Sequence, residues 1–192
     1  MAEHNPLEIS GLWVPEFAIL PKHKVVTAGS CFAQHFSRAL TARGYSWLDA
    51  EPAPELLTAE QARDFNYGIF SVRTGNIYTA RMLQQWLSLA LGDRDQDEPA
   101  WTEVWETKGR FQDPLRPVIE PGGFASREEL FASRRATLAA IRKAVRQADI
   151  FVFTLGLTES WRNAQTGAEY ALCPGTAGGR FDPDDHVFCN QR

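Results

Sequence analysis

A serine stands where a β-branched run breaks: Val25-Val26-Thr27-Ala28 is followed by Gly29-Ser30 and then by a helical pattern. A hydroxyl at such a strand-to-helix turn lies near helix N-terminal amides, which can hold a developing negative charge. Ser30 is therefore a candidate nucleophile for acyl transfer, and its other reading is an ordinary helix cap. A second loop, Gly156-Leu157-Thr158-Glu159, ends the apolar run Ile150-Phe151-Val152-Phe153-Thr154-Leu155. Thr158 or Glu159 can hydrogen-bond a substrate there, or simply close the strand end. Both loops fall at carboxyl ends of expected strands, where open α/β sheets bind ligands.

A serine hydroxyl needs a base to be a good nucleophile at neutral pH. The four histidines are His4 and His23 in the N-terminal arm, His35 on the helix after Ser30, and His186 in Asp182-Pro183-Asp184-Asp185-His186. His35 reads as packing or solvent-facing, and His186 sits in a segment without a preceding strand. Cys31 stands at a helix start, where thiols can be acidified. It projects about 100° around the helix from Ser30 and reads as a small buried hydrophobe. The three cysteines, Cys31, Cys173 and Cys189, show no CxxC spacing, so neither metal nor other cofactor is expected. Reduced thiols predict a cytoplasmic protein. A phosphate-binding reading of the glycine-serine turn fails for want of GxxxxGK[ST].

Several elements must position these groups. Residues 1–23, with Pro6, Pro15 and Pro21, read as an irregular arm. A helix is expected from Cys31 to about Arg43, with Phe32, Phe36, Ala39 and Leu40 as its apolar stripe and Gly44 as its stop. Tyr45-Ser46-Trp47-Leu48 then reads as a second strand, which makes a βαβ unit and an α/β class. A helix over 78–91 presents Leu83, Trp86, Leu87 and Leu91. Asp93 to Gly123 reads as an insertion with a hairpin turning at Lys108-Gly109, carrying Trp101 and Trp105. Ser126 caps a helix running to about Gln147, with Leu130, Phe131, Leu138, Ile141 and Val145 inside. The strand from Ile150 reads as buried on both faces. Beyond Trp161 no regular structure is predicted. Two or three parallel strands make a thin sheet, so the sequence reads as the front portion of a larger domain, truncated at the C-terminus.

The 192 residues carry a net charge of −4, which excludes a general nucleic-acid binder. No apolar run is long enough to span a bilayer, and no secretory h-region is present. At 44% hydrophobic and 23% charged, the chain has the composition of a folded single domain. The six tryptophans and 12 phenylalanines can fill a core or line a carbohydrate groove. Oligomeric state is not legible.

Gly29-Ser30-Cys31-Phe32-Ala33 spells GSCFA, and its setting resembles the signature of the GSCFA-domain family. Supporting stretches are Phe65-Asn66-Tyr67-Gly68, Gly75-Asn76-Ile77-Tyr78-Thr79, Asp113-Pro114-Leu115-Arg116-Pro117 and Phe153 through Trp161. The likeness runs from about Pro15 onward. That family is similar to the SGNH/GDSL hydrolases, which implies a flavodoxin-like three-layer sandwich around a parallel sheet and an esterase or acyltransferase activity. The resemblance implies Ser30 as nucleophile, its own amide helping to form an oxyanion hole. The second-block glycine has two matches, Gly68 and Gly75, with Asn76 as a replacement donor. The third block, usually Gly-x-Asn-Asp, reads Gly156-Leu157-Thr158-Glu159, so Thr158 takes the donor's place. The Asp-x-x-His of SGNH enzymes is missing, since Pro183 stands three before His186. The resemblance thus implies a base from a C-terminal half beyond these residues. The expected partner is a small-molecule or saccharide ester, with Trp101 and Trp105 as a sugar-facing lid. The alternative is a domain without a triad that binds a glycan or small molecule.

Overall fold

The computed structural model describes residues 14–92 and 99–191. His4 and the start of the expected insertion lie outside them. The chain folds as a mixed α/β protein with small parallel and antiparallel sheets. Its centre is a parallel pair, β1 (Val25–Gly29) and β4 (Ile150–Thr154), in register from Val25↔Ile150 to Gly29↔Thr154. The other edge of β1 is filled piecemeal. Trp47 makes a single parallel bridge to Val25, the Ser71 amide donates to Thr27, and the Ile77 amide donates to Gly29. The expected second strand over Tyr45–Leu48 therefore shrinks to one bridge, because Ser71 and Ile77 take the next acceptors along β1.

Helix α1 (Ala33–Ala42) follows the GSCFA turn and packs on β1 and β4. Its buried side chains are Ala33 and Ser37, whereas Phe32 is 60% exposed and Phe36 41% exposed. The expected apolar stripe is thus turned outward. Small residues face the sheet because α1 lies close upon it, and the two phenylalanines contact each other at the surface instead. Cys31 is likewise exposed, not buried as expected.

Helix α2 (Ala59–Asp64) is short and closed by a Thr58–Gln61 capping box. Helix α3 (Ala80–Leu91) is capped by Thr79 and ended by a left-handed Gly92. It buries Met82, Gln85, Trp86, Leu89 and Ala90, while Leu91 stays exposed. Helix α5 (Arg127–Gln147) starts where Ser126 accepts from the Glu129 amide at 3.2 Å, with Glu128 and Glu129 in the first turn. The pair α3–α5 encloses the main core with Val26, Leu115, Trp101, Leu138 and Ile141, against which Phe153 packs. Val145 is exposed. So is Phe151 on β4, because among the described residues β4 pairs with β1 alone and its far edge is open. The reading of a strand buried on both faces is corrected accordingly.

A short helix, α4 (Pro99–Thr102), precedes the hairpin of β2 (Trp105–Thr107) and β3 (Arg110–Gln112). Lys108 and Gly109 both take positive φ at its turn, as a two-residue primed turn requires. Trp101 and Trp105 are only 3% and 5% exposed, so they fill the interior and form no lid. Beyond Trp161, where no regular structure was expected, β5 (Glu159–Asn163) pairs with β6 (Glu169–Tyr170) and with β7 (His186–Asn190), both antiparallel. These strands carry mixed polar and apolar residues, so they lack the periodic signal of β1 or β4. No helix of the described residues is long and apolar enough to cross a membrane.

Candidate active site at the GSCFA turn

The site is built where β1 and β4 end side by side. Gly29 has a φ of +133°, and a Cβ there would meet the Thr154 carbonyl oxygen at 2.6 Å. Only glycine tolerates both the conformation and that approach. Ser30 follows, 8% exposed, with its carbonyl accepting from the Ala33 amide to start the turn into α1. Its Oγ lies 3.3 Å from Thr154 Oγ1 and accepts weakly from the Phe32 amide at 3.4 Å. It does not serve as the cap of α1, whose capping position is Phe32, without a side-chain bond.

The second loop meets the first at Gly156. A Cβ on Gly156 would stand 2.9 Å from Ser30 Cβ and 3.3 Å from Tyr78 Cδ1. The Gly156 and Leu157 amides both donate to the Tyr78 carbonyl at 3.1 Å. Three chain segments thus converge on Ser30: 29–32, 75–78 and 154–157. The Ile77 amide donates to the Gly29 carbonyl, which brings Asn76, its chain neighbour, toward the turn, whereas a Cβ on Gly75 would meet Arg116 Cβ at 3.9 Å. Gly68 is exposed and precedes Ile69, whose carbonyl accepts from Ser37 of α1, so it belongs to a different contact. Thr158 and Glu159 are exposed, Thr158 accepting from the Gln191 amide through its carbonyl.

The Ser30 amide, expected to help hold an oxyanion, donates instead to Thr154 Oγ1 at 3.1 Å and its carbonyl at 3.4 Å. Asn76 Oδ1 is buried without a hydrogen-bond partner. Burial and the neighbouring Cys31 push the Tyr78 phenol above its ordinary value, against the opposing influence of the Asn76 side chain. Tyr78 and Thr154 were not singled out from the sequence. Both lie inside stretches resembling the family, but nothing local marks them as neighbours of Ser30.

No histidine, aspartate or glutamate among the described residues hydrogen-bonds Ser30 Oγ. His186 pairs with Asn163 at one end of the β5–β7 ladder, whereas Glu159, next to the Gly156 loop, pairs with Asn190 at the other. Four residues of strand put His186 about 13 Å along the ladder from Glu159. Its Nδ1 accepts from the Asp182 amide at 2.9 Å. His35 is exposed with its ring against Phe32, and His23 Nδ1 accepts from the Leu20 amide. No cluster of metal-binding side chains occurs among the described residues.

The order of these segments, from the GSCFA turn through the Gly75 loop to the Gly156 loop, agrees with a family model, GSCFA family, that matches residues 24–188. The chain belongs to the GSCFA family. No curated protein and no solved structure matches it. The Asp113-Pro114-Leu115-Arg116-Pro117 stretch forms a buried ion cluster behind the 73–78 segment, where Arg116 Nη1 donates to the Arg73 carbonyl and a Cβ on Gly75 would stand 3.9 Å from Arg116 Cβ. There Asp113 accepts from Arg116 Nε at 2.8 Å and from Arg134 Nη2 at 2.5 Å. Burial raises the Asp113 carboxyl, but the Arg134 and Arg116 guanidinium groups outweigh it and hold the value down to about 2. This GSCFA chain therefore spends one of its recognisable stretches on holding Leu115 and α5 in place.

Proposed function

We propose that this GSCFA domain is an SGNH-like serine hydrolase or acyltransferase acting on an ester, such as that of an acylated saccharide, with Ser30 as nucleophile. On this reading the parallel pair belongs to a flavodoxin-like sandwich. Ser30 Oγ attacks the ester carbonyl, its proton passes to a base, and the alcohol leaves from a Ser30 acyl-enzyme. Water or a second hydroxyl then takes the acyl group. The single observation that carries the reading is the packing of Gly156 against Ser30, which joins the two expected ligand loops around one hydroxyl. On this reading Asn76 and Thr158 supply the side-chain donors to the oxyanion. The base comes from outside the described residues, since no described histidine reaches Ser30.

That last observation also favours a second reading, a GSCFA domain that binds a glycan or small molecule without turning it over. Intact-mass analysis after fluorophosphonate treatment separates the two. The hydrolase reading expects an adduct mapped to Ser30 and lost in Ser30→Ala. Absence of an adduct on this chain, and on any longer chain containing it, refutes the hydrolase and leaves the binding module.

A further inference from the structure

A groove of about 330 Å³ opens between the N-terminus of α3 and the β5–β6–β7 sheet. That volume falls within the roughly 300–1,000 Å³ of ligand pockets. Met82 and Tyr170, both 2% exposed, line it, with Trp161 and Phe188 in edge-to-face contact at 5.5 Å. Its polar atoms are largely taken. The Tyr170 hydroxyl donates to Glu103 at 2.8 Å and accepts from Asn163, and Ser160 Oγ accepts from Gln191 Nε2 at 3.2 Å. A sugar ring needs several free hydrogen-bond partners, whereas this groove offers aromatic faces, a thioether and aliphatic carbon. Among the described residues Glu159 is the one charged side chain in its lining, which disfavours an anion.

Tyr78 lines the groove, and its Cδ1 and the Ser30 Cβ lie 3.3 Å and 2.9 Å from the one point where a Cβ on Gly156 would stand. The Tyr78 ring therefore stands between the groove and Ser30, with the missing side chain of Gly156 bringing the two close. We infer that this groove takes the neutral acyl chain of the ester, with Tyr78 and Leu157 at its entrance and the alcohol portion left outside. The inference rests on Ser30 as nucleophile for its orientation, and it names the substrate class as esters of medium-chain acids over acetyl esters.

The test is equilibrium binding of methyl ketones from 2-butanone to 2-decanone, measured by calorimetry on the whole chain. These ketones carry a carbonyl and cannot be hydrolysed. Kd tightens roughly two- to fourfold per added methylene while the groove fills. Ala171→Phe, which plugs the groove, removes that dependence. Phe188→Ser, at a position 54% exposed and outside the buried core, weakens 2-decanone at least threefold and decides the matter if Ala171→Phe fails to fold. A Kd for 2-decanone within twofold of that for 2-butanone overturns the inference, as does dependence that survives a folded Ala171→Phe. Chain-length dependence without Ser30 labelling retains the groove and removes the nucleophile. Labelling without chain-length dependence does the reverse.

Discussion

Asp113→Asn tests the buried ion cluster that holds Leu115 against α5. The carboxylate is fully buried and accepts from Arg116 Nε, Arg134 Nε, Arg134 Nη2 and the Leu115 amide at 2.5–3.1 Å. Arg116 goes on to Thr137 and Ser133 of α5, while Arg134 Nη1 donates to the Trp101 carbonyl. A carboxyl whose value falls from 3.8 to about 2 on folding contributes about 2 kcal/mol at neutral pH. The substitution costs at least that, because an asparagine is neutral like the protonated acid. Its amide also faces guanidinium donors, and breaking a buried pair typically costs about 3–5 kcal/mol. Urea denaturation at pH 7 should therefore show a loss of about 2–5 kcal/mol with an unchanged m-value. Because the folded value is depressed, the stabilisation is complete above about pH 4 and vanishes as pH falls through about 2. The gap between wild type and variant should close over that window. A loss below about 1 kcal/mol at pH 7, or a gap undiminished at pH 2, refutes the argument.

Phe36→Ser should change stability by less than about 0.5 kcal/mol in the same assay, since the ring is at the surface; a loss of about 3 kcal/mol would mean it belongs to the core. Gly156→Ala gains about 0.4–1 kcal/mol from the unfolded chain but overpacks Ser30 and Tyr78 at about 1–3 kcal/mol, so net destabilisation and slower fluorophosphonate labelling are expected. An unchanged labelling rate would show that the Gly156 contact does not hold Ser30. His186→Ala and His35→Ala should each leave Ser30 labelling within twofold of wild type by mass spectrometry. A tenfold loss in either would assign that histidine as the base and overturn the geometry described above.

The elements legible from the sequence are those set by neighbours along the chain. Ser126 and the acidic residues after it begin α5, Gly29 is the last residue of β1, and Lys108-Gly109 turns the hairpin, each through local backbone preference and short-range hydrogen bonds. The GSCFA turn itself was readable for the same reason, as a strand, a glycine and a helix start in sequence. What tertiary structure alone decided is which side each element buries and what stands beside Ser30. Periodicity shows that Phe32 and Phe36 share a face, but the closeness of α1 to β1 turned that face outward. In the β6–β5–β7 sheet, β5 reaches β6 across the five residues 164–168 but reaches β7 only across the 22 residues 164–185, and these short mixed strands carry no period of their own. Ser30 meets Thr154 across 124 positions, and Tyr78 meets it only through the missing side chain of Gly156. Those contacts are long-range, so no spacing rule encodes them, and the site became a site only when the ends of β1 and β4 came together.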